Sequence, residues 1–257
     1  MLIDTHAHLD MEDFEPDLEE VLKRAREGGV GYVITVGTDL SSSQEALKLA
    51  GRHDFISSTL GYHPHHAKDL DQDHLNELAE LAADPKIVAW GEIGLDFFRR
   101  RSPVNRQMEA FIRQLDLAWD LGLPVIIHCR DAHKELIEIL TKRKVVHRGV
   151  IHCFSGDYDL AMTYIDMGYH ISIPGTVTYK NAGMTQEVAS RIPLECLLLE
   201  TDAPFLTPVP LRGKRNEPLF TTHTAKKIAD LRGMDLEDLA RQTSKNAAAL
   251  FNLPINL

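Results

Sequence analysis

The sequence predicts a (β/α)8 barrel of the α/β class, and three observations predict it. Eight short, β-branched apolar stretches alternate with longer amphipathic ones along the whole chain. Each strand-plus-helix repeat averages about 30 residues, and eight of them over 257 residues match the usual size of that fold. No linker or charge block divides the sequence, so one domain over residues 1–257 is expected.

Taken in order, the first strand is Leu2–His6, followed by an amphipathic stretch at Asp17–Glu27. The second is Tyr32–Gly37, with a helix over Ser42–Ala50 introduced by the capping residues Ser41 to Ser43 ahead of Gln44 and Glu45. The third is Ile56–Gly61, with Leu75–Ala83 behind Asp71 as the cap; the fourth is Ile87–Glu92, with Arg106–Leu121. Val125–His128 and Lys134–Lys142, Val150–His152 and Leu160–Met167, and His170–Ile173 and Gln186–Arg191 complete repeats five to seven. The eighth strand, Leu197–Thr201, precedes two helices at Thr224–Leu231 and Leu236–Leu250. A doubly wound sheet is the runner-up, but it would place a glycine-rich phosphate loop after the first strand, which here opens into THAHLD.

Composition narrows the function classes. The balance of 28 Lys+Arg against 38 Asp+Glu gives a net charge of −10, which opposes nonspecific coating of duplex DNA. No apolar run reaches the roughly 18 residues of a membrane span, and the N-terminus lacks a basic region followed by an apolar one, so a cytoplasmic protein with no membrane partner is expected. Cys129, Cys153 and Cys196 form an odd set without a CxxC spacing, which argues against disulfides and thiolate zinc sites. The anomaly is the 13 histidines.

His6 and His8 lie two apart where the first strand ends, so an extended backbone turns both imidazoles to one side. Glu92 closes the fourth strand in WGEIGLD, His128 the fifth in VIIHCRD, His152 the sixth in GVIHCFSG, and Asp202 follows the eighth in LLLETDAP. In a barrel of this kind the C-terminal strand ends share one mouth, so these six residues are expected to form a single site. Four imidazoles and two carboxylates without sulfur suit Zn2+, Mn2+ or Mg2+, and six ligands exceed the three of a mononuclear catalytic zinc. Two divalent ions are therefore expected, with Glu92 the best bridge. Cys129 and Cys153, adjacent to ligands, should face the helices.

As a set, THAHLD, GEIGLDF, VIIHCRDA, HCFSG, ETDAP and RGKRNEP resemble the TatD family of metal-dependent deoxyribonucleases, within the wider amidohydrolase-like barrels, from Ile3 to about Phe251. The resemblance implies a (β/α)8 barrel, a divalent-metal centre and phosphodiester hydrolysis, some members being 3′ exonucleases or repair and fragmentation nucleases. Its ligand positions fall on His6, His8, Glu92, His128, His152 and Asp202, the six chosen by strand ends. His66 and Cys129 depart from the pattern without touching those positions. Related barrels act as D-aminoacyl-tRNA deacylases or lactonases, so a carbonyl substrate stands as the alternative.

The expected chemistry is attack on phosphorus by a metal-activated water, with Asp202 as the general base or, alternatively, a ligand only. Glu200, two residues earlier, would orient ligands or act as a structural acid. His63 and His65 in GYHPHH would bind phosphate or protonate the leaving oxygen, or make ordinary loop hydrogen bonds. Asp96, read as a loop residue, would orient a ligand or substrate group, or cap an Asx turn. Arg99 to Arg101, Arg130 and the cluster Arg212, Lys214 and Arg215 are cations for phosphate or solvated charges. Tyr179, Lys180 and Asn181 would hold a terminal nucleotide, or Tyr179 is a packed loop aromatic. With few cations and 7% aromatics, a short single-stranded end fits better than a long duplex, and a monomeric exonuclease is expected.

Overall fold

The computed structural model describes residues 1–143 and 148–255. Its strands and α-helices run β1 (Leu2–Ala7), α1 (Leu18–Glu27), β2 (Val30–Thr35), α2 (Leu40–Arg52), β3 (Ile56–Leu60), α3 (Gln72–Leu81), β4 (Ile87–Asp96) and α4 (Val104–Asp120). They continue with β5 (Val125–Arg130), α5 (His133–Lys142), β6 (Gly149–Ile151), α6 (Tyr158–Asp166), β7 (Tyr169–Ile173), α7 (Gly183–Arg191), β8 (Leu197–Leu199), α8 (Thr221–Arg232) and α9 (Leu236–Phe251). The strands follow one another in the sheet in sequence order, β1 to β8, and each is followed by a helix. This is the (β/α)8 class that the sequence predicts. Among the described residues no helix is long and apolar enough to cross a membrane.

Two compact units make up the chain: residues 1–35 with 153–257, and residues 36–152. In the first, β1 pairs in parallel with β2, and β7 with β8. The chain beyond β8 returns to β1: Ala7 bridges Ala203 in parallel, Asp202 N–H donates to His6 O at 2.9 Å, and His8 N–H donates to Ala203 O at 2.7 Å. Helix α9 packs on β1 and β8, where Asn246 Nδ2 donates to the carbonyls of Leu194 and Leu197. Tyr32, Phe14, Tyr164 and Phe251 fill the core of this unit.

In the second unit β3, β4, β5 and β6 pair in parallel around the fully buried Trp90. Two glutamines seven residues apart on the buried face of α4 brace the strand ends. Gln114 Oε1 accepts the Tyr62 amide at 2.7 Å and Trp90 Nε1–H at 3.3 Å, while its Nε2 donates to Tyr62 O. Gln107 Oε1 accepts the Asp96 amide at 2.8 Å, and its Nε2 donates to the carbonyls of Asp96 and Ser102. A polar residue inside an apolar stripe is costly unless its bonds are made, and both glutamines make them with backbone groups that would otherwise be stranded.

Several boundaries differ from expectation for identifiable reasons. Strand β4 does not end at Glu92 but runs through the glycines to Asp96, with an irregular register between Trp90 and Ile93. Gly94 makes this possible: at φ +142° a Cβ would lie 2.0 Å from His128 O, so only glycine lets β4 approach β5. Asp96 is thus the last strand residue and not a loop residue. Strand β8 stops at Leu199, short of Thr201, because Asp202 takes a left-handed φ of +57°. Strand β6 likewise stops at Ile151, before His152. The cap of α2 is Asp39, which accepts the Ser42 amide at 2.9 Å, in place of the serines; Asp71 caps α3 as predicted, accepting the His74 amide at 2.9 Å.

Candidate metal centre

Within the first unit, His6 and His8 straddle the end of β1 and turn the same way, as period-two geometry requires: their Nε2 atoms are 3.3 Å apart. Asp202 Oδ1 lies 3.4 Å from His8 Nε2 and 3.8 Å from His6 Nε2. A tetrahedral ion with bonds of about 2.0–2.1 Å separates neighbouring ligand atoms by about 3.3 Å, so this trio has the spacing of a cation cage. The left-handed backbone at Asp202, tolerated by aspartate better than by most residues, turns its carboxylate to the histidines.

Behind the trio lies Asp4, fully buried, a residue that strand-end reasoning passes over. Its carboxylate accepts the Thr201 amide at 2.9 Å, the Thr201 hydroxyl at 2.6 Å and the His6 amide at 3.3 Å, tying together the two backbones that carry His6 and Asp202. Burial pushes the Asp4 carboxyl up to about 8, against the lowering effect of these donors. Asn216 locks the turn beyond, donating to Thr201 O at 2.9 Å and Phe205 O at 2.6 Å. Glu200 lies past the end of β8, so strand alternation does not place it beside Asp202. Its Oε1 accepts the Cys153 amide at 2.6 Å, next in the chain to His152.

Within the second unit, Glu92 Oε1 faces three imidazoles: His128 Nδ1 at 2.8 Å, His152 Nε2 at 3.0 Å and His63 Nε2 at 3.4 Å. Asp96 Oδ2 lies 3.0 Å from His65 Nε2 and 3.3 Å from His128 Nε2, while its Oδ1 accepts the Arg99 amide at 2.6 Å. Asp96 thus contacts both the turn at Arg99 and the two imidazoles. His63, Glu92 and His128 form a group with one donor atom each, all close enough to share an ion. His65 N–H donates to His63 Nδ1 at 3.1 Å, fixing the His63 tautomer with Nδ1 as the acceptor.

Electrostatics follow from burial and pairing. Burial lowers His63 to about 3, so it is neutral at physiological pH. Burial alone would raise Glu92, but His152, His63 and His128 outweigh it and hold the carboxylate well below its usual range. Asp96 is likewise held low, against burial, by His128 and His65. His128, between the two carboxylates, is raised although burial opposes its charge. Ionised carboxylates and a neutral imidazole are the states in which these groups donate to a cation.

The residues expected to hold substrate are more scattered. Arg215, partly exposed, donates to Asp17 at 2.7 and 3.0 Å and lies 4.7 Å over the Phe14 ring. Arg212 lies 4.4 Å over the Tyr179 ring, and Tyr179 Oη donates to Thr207 O at 2.9 Å, so this aromatic is anchored with a guanidinium on one face. Arg130 lies 4.0 Å over exposed Phe98. Lys180 and Lys214 are exposed. Cys129 is buried as expected, whereas Cys153 occupies a turn at φ +47°, where alternation has no meaning.

Similarity to known proteins agrees with this picture. A family model described as TatD related DNase matches residues 3–252. The chain is 42% identical to an "uncharacterized metal-dependent hydrolase YabD" of Bacillus subtilis (strain 168), over 98% of this chain and all of that protein. It is also 42% identical to a "3'-5' ssDNA/RNA exonuclease TatD" of Pantoea ananatis, again over 98% of this chain and all of the relative. Among solved structures, the Escherichia coli K12 TatD homolog YJJV superposes with a TM-score of 0.93 at 34% identity, covering 98% of each chain. A dihydroorotase at 16% identity and a TM-score of 0.66 shares the fold alone. The chain belongs to the TatD-related DNase family of metal-dependent hydrolases.

Proposed function

We propose that this protein is a divalent-metal-dependent phosphodiesterase that trims single-stranded DNA or RNA ends, with His6, His8, Glu92, His128, His152 and Asp202 holding two ions. The observation that carries the reading is the spacing of donor atoms in each unit. His6, His8 and Asp202 converge at 3.3–3.8 Å, and Glu92 draws three imidazoles to within 3.4 Å of one oxygen. Relatives named as ssDNA/RNA exonucleases support the substrate class. When bound, Zn2+, Mg2+ or Mn2+ supplies Lewis acidity toward a phosphoryl oxygen and lowers the pKa of water.

Around that chemistry the side chains take separate roles. Asp202 accepts the proton of the attacking water at its carboxylate. His63, held neutral, keeps Glu92 in place and is a poor proton donor. His65, less buried and steadied by Asp96, is the better group to contact phosphate and protonate the leaving oxygen. Glu200 fixes the turn after β6 and takes no proton. Arg212, Lys214 and Lys180 meet the backbone phosphates.

The test is an end-labelled single-stranded oligomer incubated with the chain and Mg2+, Mn2+ or Zn2+. A stepwise ladder that chelation abolishes is expected, with closed single-stranded circles spared. Cleavage of circles at the same rate would refute end trimming. Turnover of aminoacyl-tRNA or a lactone, with no oligomer cut, would favour the carbonyl-hydrolase alternative.

A further inference from the structure

An exposed aromatic ring stands beside His8 in the proposed ligand trio of the first unit. Phe205 is 49% exposed, whereas its neighbours Ala203 and Pro204 are buried. Its ring centroid lies 6.3 Å from that of His8, at an interplanar angle of 64°, so the phenyl packs edge-on against a proposed ligand and presents its remaining surface to solvent. Single exposed apolar side chains are common on protein surfaces, and Phe98 and Met184 are as open as Phe205; what sets Phe205 apart is its place against His8.

The backbone beneath the ring is fixed. Phe205 N–H donates to Asp202 O at 2.8 Å, Phe205 O accepts Asn216 Nδ2–H at 2.6 Å, and Asn216 N–H donates to Pro204 O at 3.0 Å. Leu206 follows at a left-handed φ of +55°. A second aromatic, Tyr179 from the segment after β7, is held against this loop. Thr207 O accepts Tyr179 Oη–H at 2.9 Å, Arg212 lies 4.4 Å over the Tyr179 ring, and Val209 N–H donates to Thr178 Oγ1 at 2.8 Å. An open ring next to the ligands and a cation-capped ring held against the same loop offer a single strand one surface for a base and one charge for a backbone phosphate. Tyr179, already capped by a guanidinium, is the weaker stacking surface of the two.

We infer that Phe205 is the stacking platform for the nucleobase of the terminal nucleotide, holding that nucleotide so that its phosphodiester lies over His8 and Asp202. The inference deepens the nuclease reading and rests on it. A π-face has no sequence preference, so Phe205 would favour any base over an abasic sugar. A rigid ring also orients the end at little entropic cost, because the loop is already ordered.

The experiment is a cycle between protein and substrate. The metal-loaded full chain and its Phe205→Ala variant are assayed on a single-stranded oligomer and on the same oligomer with an abasic residue at the end from which trimming starts. Phe205→Tyr serves as the conservative variant. Phe205→Ala is expected to lose about 5- to 150-fold in kcat/KM on the normal oligomer, chiefly through KM, and little on the abasic one, with Phe205→Tyr close to wild type. A 2-aminopurine at the terminal position reads stacking directly: its emission is quenched on binding to wild type and to Phe205→Tyr, and less so on binding to Phe205→Ala. Equal losses on both oligomers, or no loss on either, would overturn the platform. If the wild type cuts neither oligomer, the nuclease reading itself falls, and the inference with it.

Discussion

Asp202 combines two demands at one residue. It points at His6 and His8 from a backbone that few side chains tolerate, and in the proposed mechanism its carboxylate also takes a proton. Asp202→Asn preserves shape and left-handed tolerance while removing basicity, so kcat should fall about 10²- to 10⁴-fold with the thermal midpoint almost unchanged. A steady-state assay paired with a melting curve checks both halves of that expectation. Protonation offers a second handle on the same groups. His63 is lowered to about 3 in the folded chain from an ordinary value near 6.5, so the unfolded chain binds the extra proton between those values. Stability of the metal-free protein should therefore decline as pH falls from about 6.5 toward 3. Glu92 and Asp96, both depressed, add losses in the same direction once their unfolded forms are protonated. The raised His128 opposes the trend in part, since it favours the folded state at low pH. Urea titrations in chelator across this range measure the sum. Stability that rises on acidification would contradict the assignment of His63 as neutral.

At the scale of elements, α4 and β4 act as a pair. Removing Gln107 strands the Asp96 amide and two carbonyls, so Gln107→Ala should cost about 1–3 kcal/mol and loosen the carboxylate that steadies His65 and His128. Denaturant midpoints together with kcat at fixed metal concentration would show both effects. Gly94→Ala is harsher, because a Cβ at φ +142° would sit 2.0 Å from His128 O, and loss of soluble folded protein is the expected outcome in expression trials. These two residues mark where sequence reading reaches its limit. Strand and helix order were legible because apolar stretches and amphipathic ones alternate, and His6, His8 and Glu92 stand out through spacing and strand context. Glycines read as punctuation, however, so the extension of β4 to Asp96 was hidden. Glutamines inside an apolar stripe gave a faint signal at a seven-residue interval. Asp4 gave none, since one carboxylate in a strand cannot announce that its partner is Thr201, 197 positions away. The occupation of Arg215 by Asp17 was equally silent, because a basic cluster looks the same whether its charges face solvent or each other's counterions.

For the whole molecule, charge sets how a nucleic-acid substrate of the proposed kind would be held. With a net charge of −10, general attraction for polyanions is absent, and binding depends on a few placed cations. If Arg212, Lys214 and Lys180 neutralise about three phosphates as proposed, log affinity for a short single strand should fall against log salt with a slope of about −2.1. Fluorescence anisotropy over a salt series would report it, and a slope several times steeper would point to a broad basic surface that this composition does not provide. Metal should also stabilise the whole fold by mass action, since the ligand atoms are gathered only in the native chain: about 2.7 kcal/mol at a hundredfold excess over the dissociation constant. Finally, the bridge from Ala7 to Ala203 imposes a schedule on biosynthesis. The first histidines to leave the ribosome wait for residue 202 of 257 before their carboxylate partner exists, so a nascent or prematurely terminated chain carries imidazoles it cannot yet organise. A chain cut short before residue 202 therefore lacks the carboxylate side of this trio, and the proposed ion site is withheld until synthesis is nearly complete.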